Sequence, residues 1–267
     1  MRQHNSRTMR GNRNRQVLRT IVVSLALVGT AAVCAAAPPS SLPGDFVFLR
    51  DIDPTILQDI RYATANNFTG SPLPGYESAE CVLLKPTAEA LKRVQQDLVS
   101  RKLSLKVFDC YRPTRAVDAM VHWANDEVSS DATRHYHPRV VKNALLPRGY
   151  IASRSDHSLG TTVDLTIVDL AATRPADSTP LPRAPCIAPA EQRGTADGVD
   201  MGTSFDCFDV RSRTDSPEIN AEQKRWRAQL RQVMDRQAFS NYAREWWHYT
   251  RYRARGTVYF DFPIPKR

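Results

Sequence analysis

Acidic residues are missing from the first 44 positions of this 267-residue chain. Arginine is not missing there: six arginines precede Asp45, and setting their charges aside lowers the formal net charge from +9 to +3. Without these arginines the chain is only weakly basic, so its charge gives little attraction for nucleic acid. The sequence also has no helix-turn-helix, zinc-finger or RNA-binding signature. We therefore predict no nucleic-acid partner. The six arginines are Arg2, Arg7, Arg10, Arg13, Arg15 and Arg19.

Long apolar stretches are scarce as well, and the clearest one follows this basic leader, from residue 17 to about residue 33. The small residues Ala35–Ala37 come next, before Pro38. An arginine-rich start, an apolar stretch and small residues are typical of a secretory signal peptide. A retained membrane anchor is the alternative, but the stretch is short for a span of ~20 residues. We expect cleavage of residues 1–37, followed by a linker over residues 38–44.

A signal peptide predicts an exported, periplasmic protein with no stable membrane insertion after cleavage. Cys34 offers a lipid anchor as a second possibility. The residue before it, Val33, is bulky where a lipoprotein signal has Gly or Ala. Lipidation at Cys34 is therefore the lesser alternative. The sequence makes no prediction about the oligomeric state.

The cysteines never form a C-x-x-C pair, which argues against a cysteine-type zinc site. The body contains four of them, and an exported protein can oxidise an even number to disulfides. Buried free thiols are the alternative. Four cysteines allow three pairings, and order along the chain favours Cys81 with Cys110 and Cys186 with Cys207.

Hydrophobic periodicity predicts helices mixed with strands. Apolar residues recur every three or four positions from Pro86 to Arg101, and a long helix is expected from Glu218 to Gln237. The runs at 103–110 and 163–170 are typical of strands. Further elements are expected as a strand in D-F-V-F-L, a helix starting at Asp53-Pro54, a helix from Thr114 to Glu127, and two strands, E-W-W-H-Y-T-R and T-V-Y-F-D-F, around a turn.

These elements do not follow a regular βαβ alternation, which favours one α+β domain over residues 45–267. We expect a central, mainly antiparallel sheet flanked by helices. The stretch 171–199 is rich in Ala, Pro, Thr and Asp, and we interpret it as an exposed insertion.

Histidine is also scarce, with six in the chain, and only two lie in apolar surroundings. His157 precedes a buried strand that contains Asp164, in S-D-H-S-L-G-T-T-V-D. Burying a carboxylate costs several kcal/mol unless it is paired or binds a metal. His157 and Asp164 could supply two ligands of a catalytic zinc, or they could simply form a hydrogen bond in the core. The other histidines are His4, in the leader, and His122, His135 and His137, which we expect at the surface or in loops.

The second apolar histidine lies in E-W-W-H, which places Glu245, a potential base, beside His248, a potential third ligand. Residues three apart on a regular strand point to opposite faces, so a bend or bulge is required to bring both to one site. The alternative is an aromatic core strand with a buried Glu–His pair.

A fixed arginine is expected in D-C-Y-R-P, where Arg112 follows a strand and precedes a helix. A guanidinium there could stabilise the oxygen that becomes negative when a peptide carbonyl is attacked. A structural salt bridge with a neighbouring carboxylate is the alternative.

Six motifs follow one another along the chain from about Asp45 to the C-terminus. They are I-R-Y-A-T-A-N-N-F-T-G, D-C-Y-R-P, S-D-H-S-L-G-T-T-V-D-L-T, M-G-T-S-F-D, E-W-W-H-Y and F-D-F-P. In this order they resemble the zinc D-alanyl-D-alanine dipeptidases, which are related to the D-alanyl-D-alanine carboxypeptidases of cell-wall metabolism.

The resemblance implies one Zn²⁺ per chain, on the sheet, and hydrolysis of a small D,D-dipeptide. It implies His157, Asp164 and His248 as zinc ligands. It also implies Glu245 as general base and then acid, and Arg112 as the transition-state stabiliser. Asp206 and Ser155 are implied to bind the free amino end of the substrate.

Two features depart from the family pattern: the 171–199 insertion and the export signal. Two alternatives to a dipeptidase remain. The chain could be a D,D-carboxypeptidase acting on peptidoglycan stem peptides, or a non-catalytic module that binds a metal or the cell wall. The presence of both Glu245 and Arg112 argues against the module, since metal binding requires neither residue.

Overall fold

The computed structural model describes residues 42–126, 131–172, 184–193, 198–251 and 258–267. The predicted signal peptide, Cys34, most of the linker and part of the insertion lie outside these ranges. None of the helices in the described part of the chain combines the length and the apolar character that crossing a bilayer requires.

Two sheets form the framework. Their strands are β1 (Phe46–Phe48), β2 (Leu57–Gln58), β3 (Val82–Leu84), β4 (Leu103–Asp109), β5 (Thr162–Asp169), β6 (Ser240–Asn241) and β7 (His248–Thr250). The smaller sheet pairs β1 with β3 in antiparallel fashion, and the larger one has the order β2-β4-β5-β7-β6. In the larger sheet the β2–β4 pair is parallel and the other three pairs are antiparallel, which confirms the mainly antiparallel sheet of an α+β fold.

Helices flank the larger sheet. The apolar stripe of α2, Ala88, Leu91, Val94 and Leu98, is fully buried, as its period predicts, and the helix contacts β4. Helix α5 contacts α2, β5 and β6. All residues of β4 are buried, and so are the first seven of β5, because the sheet is covered on both faces. The helices are α1 (Leu49–Ile52), α2 (Lys85–Val99), α3 (Thr114–Asn125), α4 (Ala190–Arg193) and α5 (Ala221–Asp235).

The helix start expected at Asp53 is wrong: α1 ends there instead. The Asp53 carboxylate accepts hydrogen bonds from the backbone N–H and the hydroxyl of Thr55, at 3.0 and 2.6 Å. An aspartate can cap a turn by the same bonds with which it caps a helix, so the Asp-Pro signal did not distinguish the two.

The second strand of the expected C-terminal hairpin is also wrong in its described part, because Val258–Phe262 forms no strand. Strand β7 pairs with β5 and β6 instead. The aromatic rings of this C-terminal segment pack on the core: Phe262 stacks on Tyr111 at a centroid distance of 4.2 Å. Ring packing, rather than a ladder, explains the alternating pattern.

Disulfides join Cys81 to Cys110 and Cys186 to Cys207, the pairing favoured by order along the chain. All four cysteines are buried. Cys186 lies in the predicted insertion, residues 171–199, whose described part is otherwise exposed or half-buried.

Candidate active site

The middle of the larger sheet places three polar side chains in one row. Asp109 at the end of β4 pairs with Asp164 on β5, and Asp164 pairs with His248 at the start of β7. His157 enters from a short 3₁₀ helix, Asp156–Leu159. Gly160, with φ 71°, turns the chain from this helix toward β5, and a Cβ there would lie 2.3 Å from the Phe46 ring.

Three ligand atoms converge at this row. His157 Nε2 lies 3.3 Å from His248 Nδ1 and 3.3 Å from Asp164 Oδ1, and His248 Nδ1 lies 3.1 Å from Asp164 Oδ1. Nitrogen and oxygen ligands bound tetrahedrally to zinc at about 2.0–2.1 Å lie about 3.3–3.4 Å apart. The three side chains therefore match one face of a zinc tetrahedron.

His157 presents its Nε2 to the other two ligand atoms. Its Nδ1–H donates to the backbone carbonyl of Cys110 at 2.7 Å, which leaves Nε2 facing Asp164 Oδ1 at 3.3 Å. Asp164 Oδ1 is buried and lies 3.1 Å from His248 Nδ1 as well. A metal-ligating histidine typically donates its other ring N–H to a carbonyl in this way, so the donor set fits a metal ion.

Glu245 lies beside this cluster because the E-W-W-H segment is not a regular strand. The N–H of Glu245 donates to Tyr242 O at 2.9 Å and the N–H of His248 to Glu245 O at 3.3 Å, which forms two consecutive turns before β7. The predicted bend is thus present. The Glu245 carboxylate lies 3.5 Å from His248 Nδ1. Burial raises the pKa of Glu245 to about 7, against the opposing charge of His248.

Arg112 is fixed over the same cavity. Its Nε donates to Asp109 at 2.8 Å, its guanidinium lies over the Tyr62 ring at 4.9 Å, and its Nη2 lies 3.6 Å from Asp164. The salt bridge that was the alternative interpretation and the position beside the metal ligands are both present. Pairing with Asp109 orients the guanidinium rather than removing it from the cavity, whose lining includes Arg112.

A cavity of about 270 Å³ opens in front of these residues. Asp206 lines it, is 5% exposed, and accepts a hydrogen bond from the Tyr62 hydroxyl at 2.8 Å. Its backbone is left-handed, with φ 57°, a conformation that few non-glycine residues adopt. Burial and the nearby Asp164 raise the pKa of Asp206 well above its ordinary value. Ser155 also lines the cavity, and its hydroxyl accepts from the His157 N–H at 3.3 Å.

Comparison with known proteins identifies the family. The family model described as D-Ala-D-Ala dipeptidase matches residues 43–180 and 171–264. The chain belongs to the D-Ala-D-Ala dipeptidase family. It is 32% identical to the D-alanyl-D-alanine dipeptidase of Enterococcus faecium over 82% of this chain and 98% of the relative. It is 33% identical to that of Streptomyces coelicolor, over 84% and 100%, and 27% identical to that of Escherichia coli, over 77% and 83%. Membership makes the chain a zinc metallopeptidase.

Two residues of this dipeptidase-family site were not predicted from the sequence as site residues. Tyr62 contacts both Asp206 and Arg112, and Asp109 lies 3.3 Å from His157 Nδ1 while it holds Arg112. Both lie inside motifs that carried the family resemblance, but their roles depend on contacts between distant segments. Of the remaining histidines, His122 is exposed, His135 is half-buried, and His137 is buried in a loop away from the metal-ligand cluster.

Proposed function

We propose that this chain hydrolyses D-Ala-D-Ala to two molecules of D-alanine, with one zinc ion held by His157, Asp164 and His248. One observation carries the proposal: three converging ligand atoms share a cavity with a carboxylate and a fixed guanidinium. Metal storage would need neither of these last two groups. The dipeptidase names of the relatives support the substrate.

Zinc in such a site lowers the pKa of a bound water toward about 7 and polarises a carbonyl. The general base is Glu245, which lies within 3.5 Å of His248. It takes a proton from the attacking water and later gives it to the departing amine. Burial raises the pKa of Glu245, which suits a carboxylate that must accept a proton and then release it.

Arg112 stabilises the negative oxygen that forms when the peptide carbonyl is attacked. Its Nε is held by Asp109 and its plane by Tyr62, so its cavity-facing edge needs no reorganisation during the reaction. Pairing of Nε with Asp109 leaves the outer nitrogens of the Arg112 guanidinium available to the cavity. A lysine at this position has a single side-chain nitrogen, which could not pair with Asp109 and face the cavity at the same time.

Asp206 recognises the free ammonium of the dipeptide, assisted by Ser155. Burial and the nearby Asp164 raise the pKa of Asp206, because both disfavour its ionised form. An incoming ammonium would favour the ionised form and gain a charge-assisted hydrogen bond. An acylated amine offers no such charge, so the buried carboxylate of Asp206 in this cavity favours the free dipeptide over longer peptides.

Export places this activity outside the cytoplasm. In the proposal, residues 1–37 are removed as a signal peptide, residues 38–44 form a linker, and the domain over 45–267 acts in the periplasm. No lipid at Cys34 and no stable membrane insertion are needed. An exported enzyme would degrade dipeptide for nutrition or for recycling of wall peptides, rather than deplete a cytoplasmic wall precursor.

The test compares the zinc-loaded mature protein on free D-Ala-D-Ala and on a pentapeptide ending in D-Ala-D-Ala. We expect release of D-alanine from the dipeptide at a kcat/KM at least tenfold above that for the pentapeptide. Preferential cleavage of the pentapeptide would instead identify a D,D-carboxypeptidase. Absence of hydrolysis on both substrates by protein with full zinc would identify a non-catalytic module.

A further inference from the structure

Each of the two disulfides adjoins a different half of the proposed catalytic site. Cys110 precedes Arg112 by two residues, and its carbonyl accepts the hydrogen bond from His157 Nδ1. Cys207 directly follows Asp206, the proposed ammonium-binding residue. The first disulfide thus lies on the metal side of the cavity, and the second lies on the amine side.

The metal-side disulfide restrains a backbone that the larger sheet no longer holds. The β4–β5 register shifts between Val107 and Asp109, and the pairing ends at Asp109. Cys110 lies beyond it. The bond to Cys81 and a hydrogen bond from the Tyr111 N–H to Val82 O at 2.9 Å tie the chain there to the smaller sheet and its approach. Arg112 continues from this point and is bonded to the His157 turn, because its N–H donates to His157 O at 3.3 Å and its carbonyl accepts from the Ser158 hydroxyl at 2.8 Å.

The anchor itself is fixed from a second direction. The Cys81 N–H donates to the side-chain oxygen of Gln58 at 2.8 Å, and Cys81 O accepts from the Leu49 N–H at 2.8 Å. These two bonds hold Cys81 against β2 and α1, and the disulfide extends that restraint to Cys110. The Cys110 carbonyl, in turn, sets the direction of the His157 ring.

The amine-side disulfide restrains a strained segment. Asp206 has φ 57°, and the surrounding structure must hold this conformation. The Ser204 N–H donates to Cys186 O at 3.0 Å, and the Phe208 N–H donates to Tyr136 O at 2.8 Å. Together with the Cys186–Cys207 bond, these contacts fasten both sides of Asp206 to Cys186 and to the 3₁₀ helix Asp131–Tyr136.

We propose that the Cys81–Cys110 disulfide positions His157 and Arg112 for metal binding and catalysis, while the Cys186–Cys207 disulfide positions Asp206 for amine recognition. The inference rests on the proposed function, and its consequence is that the site is completed by oxidation after export. Each bond forms when two thiols give up two protons and two electrons to a disulfide oxidant, which becomes a dithiol. In the reducing cytoplasm neither disulfide would form, so the precursor would lack both restraints.

The test removes one disulfide at a time, as Cys81→Ala/Cys110→Ala and as Cys186→Ala/Cys207→Ala. Each variant serves as the matched control for the other, because both lose one buried disulfide. Zinc affinity is measured by competition with a chromophoric chelator, which needs no substrate. The kcat and KM for D-Ala-D-Ala are measured at saturating zinc.

We expect the Cys81–Cys110 variant to bind zinc about 10- to 100-fold more weakly, the usual effect of losing the groups that orient a metal ligand, and to lose kcat. The Cys186–Cys207 variant should keep its zinc affinity and raise KM about tenfold, the loss of roughly one charge-assisted hydrogen bond. Equal changes in both variants, or wild-type zinc affinity without the first disulfide, would overturn the proposal. If the wild type fails to cleave the dipeptide, the proposed function fails while the zinc comparison still decides the metal-side role.

A variant that does not fold is replaced by wild-type protein trapped during oxidative refolding. Iodoacetamide alkylates the remaining thiols, and forms with one disulfide are separated. Zinc retention should follow formation of the Cys81–Cys110 bond. Retention in forms that carry only the Cys186–Cys207 bond would contradict the proposal.

Discussion

Replacing Asp206 with asparagine should change which substrates are accepted while leaving the metal site intact. The side chain is 5% exposed and is held by Tyr62, so an asparagine of nearly the same shape removes the charge without opening a cavity. A hydrogen bond between charged groups contributes about 1.5–3 kcal/mol. We therefore expect kcat/KM for D-Ala-D-Ala to fall by about 10- to 150-fold.

The assay compares D-Ala-D-Ala with N-acetyl-D-Ala-D-Ala, which has the same scissile bond and no ammonium. The preference of the wild type for the free dipeptide should shrink in Asp206→Asn by the same factor, with unchanged zinc content. Asp209→Asn is the matched control. Asp209 is a buried carboxylate three residues from Asp206, but it pairs with Arg139 and is not among the residues that line the cavity. An unchanged preference in Asp206→Asn, or an equal loss in Asp209→Asn, would refute the reasoning.

Three further predictions concern the guanidinium, the metal and a buried histidine. Arg112→Lys should lower kcat by about 10²–10³-fold with little change in zinc content, because lysine cannot pair with Asp109 and face the cavity at the same time. An unchanged kcat would assign Arg112 a structural role only. Chelation should lower the free energy of unfolding by about 4 kcal/mol relative to protein in zinc at 1,000 times its dissociation constant, measured by urea unfolding; equal stability would exclude a structural contribution from the metal. Burial lowers the pKa of His137, whose Nδ1–H donates to Val140 O at 2.9 Å, so the unfolded chain takes up a proton that the folded protein rejects. Stability should then fall as the pH drops below about 6.5, and His137→Gln should flatten that slope in urea unfolding; an equal slope would contradict this assignment.

The sequence predicted the elements whose side chains repeat with a clear period. Helix α2 and strands β4 and β5 lie within two residues of the expected bounds, because their apolar positions are buried as the period requires. The errors fall where one local signal serves two structures. Asp53 caps a turn rather than a helix, and the alternating C-terminal residues pack their rings on the core without joining a ladder.

The site could be predicted only as separate pieces. His157 and Asp164 alone remained compatible with an ordinary hydrogen bond, and the carbonyl that orients the His157 ring belongs to Cys110, 47 positions away. The bend that brings Glu245 to His248 was required by strand geometry, and the structure supplies it as two turns. The contacts of Tyr62 with Asp206 join residues 144 positions apart, which no local pattern reveals.

The most direct test of the account measures zinc content and D-Ala-D-Ala turnover side by side for the wild type and Glu245→Ala. We predict one zinc per chain in both proteins, because Glu245 is not among the three converging ligands. The wild type should release D-alanine, and kcat of the variant should fall by about 10²–10⁴-fold, the usual contribution of a general base. A fully zinc-loaded Glu245→Ala protein with near-normal kcat would contradict the account.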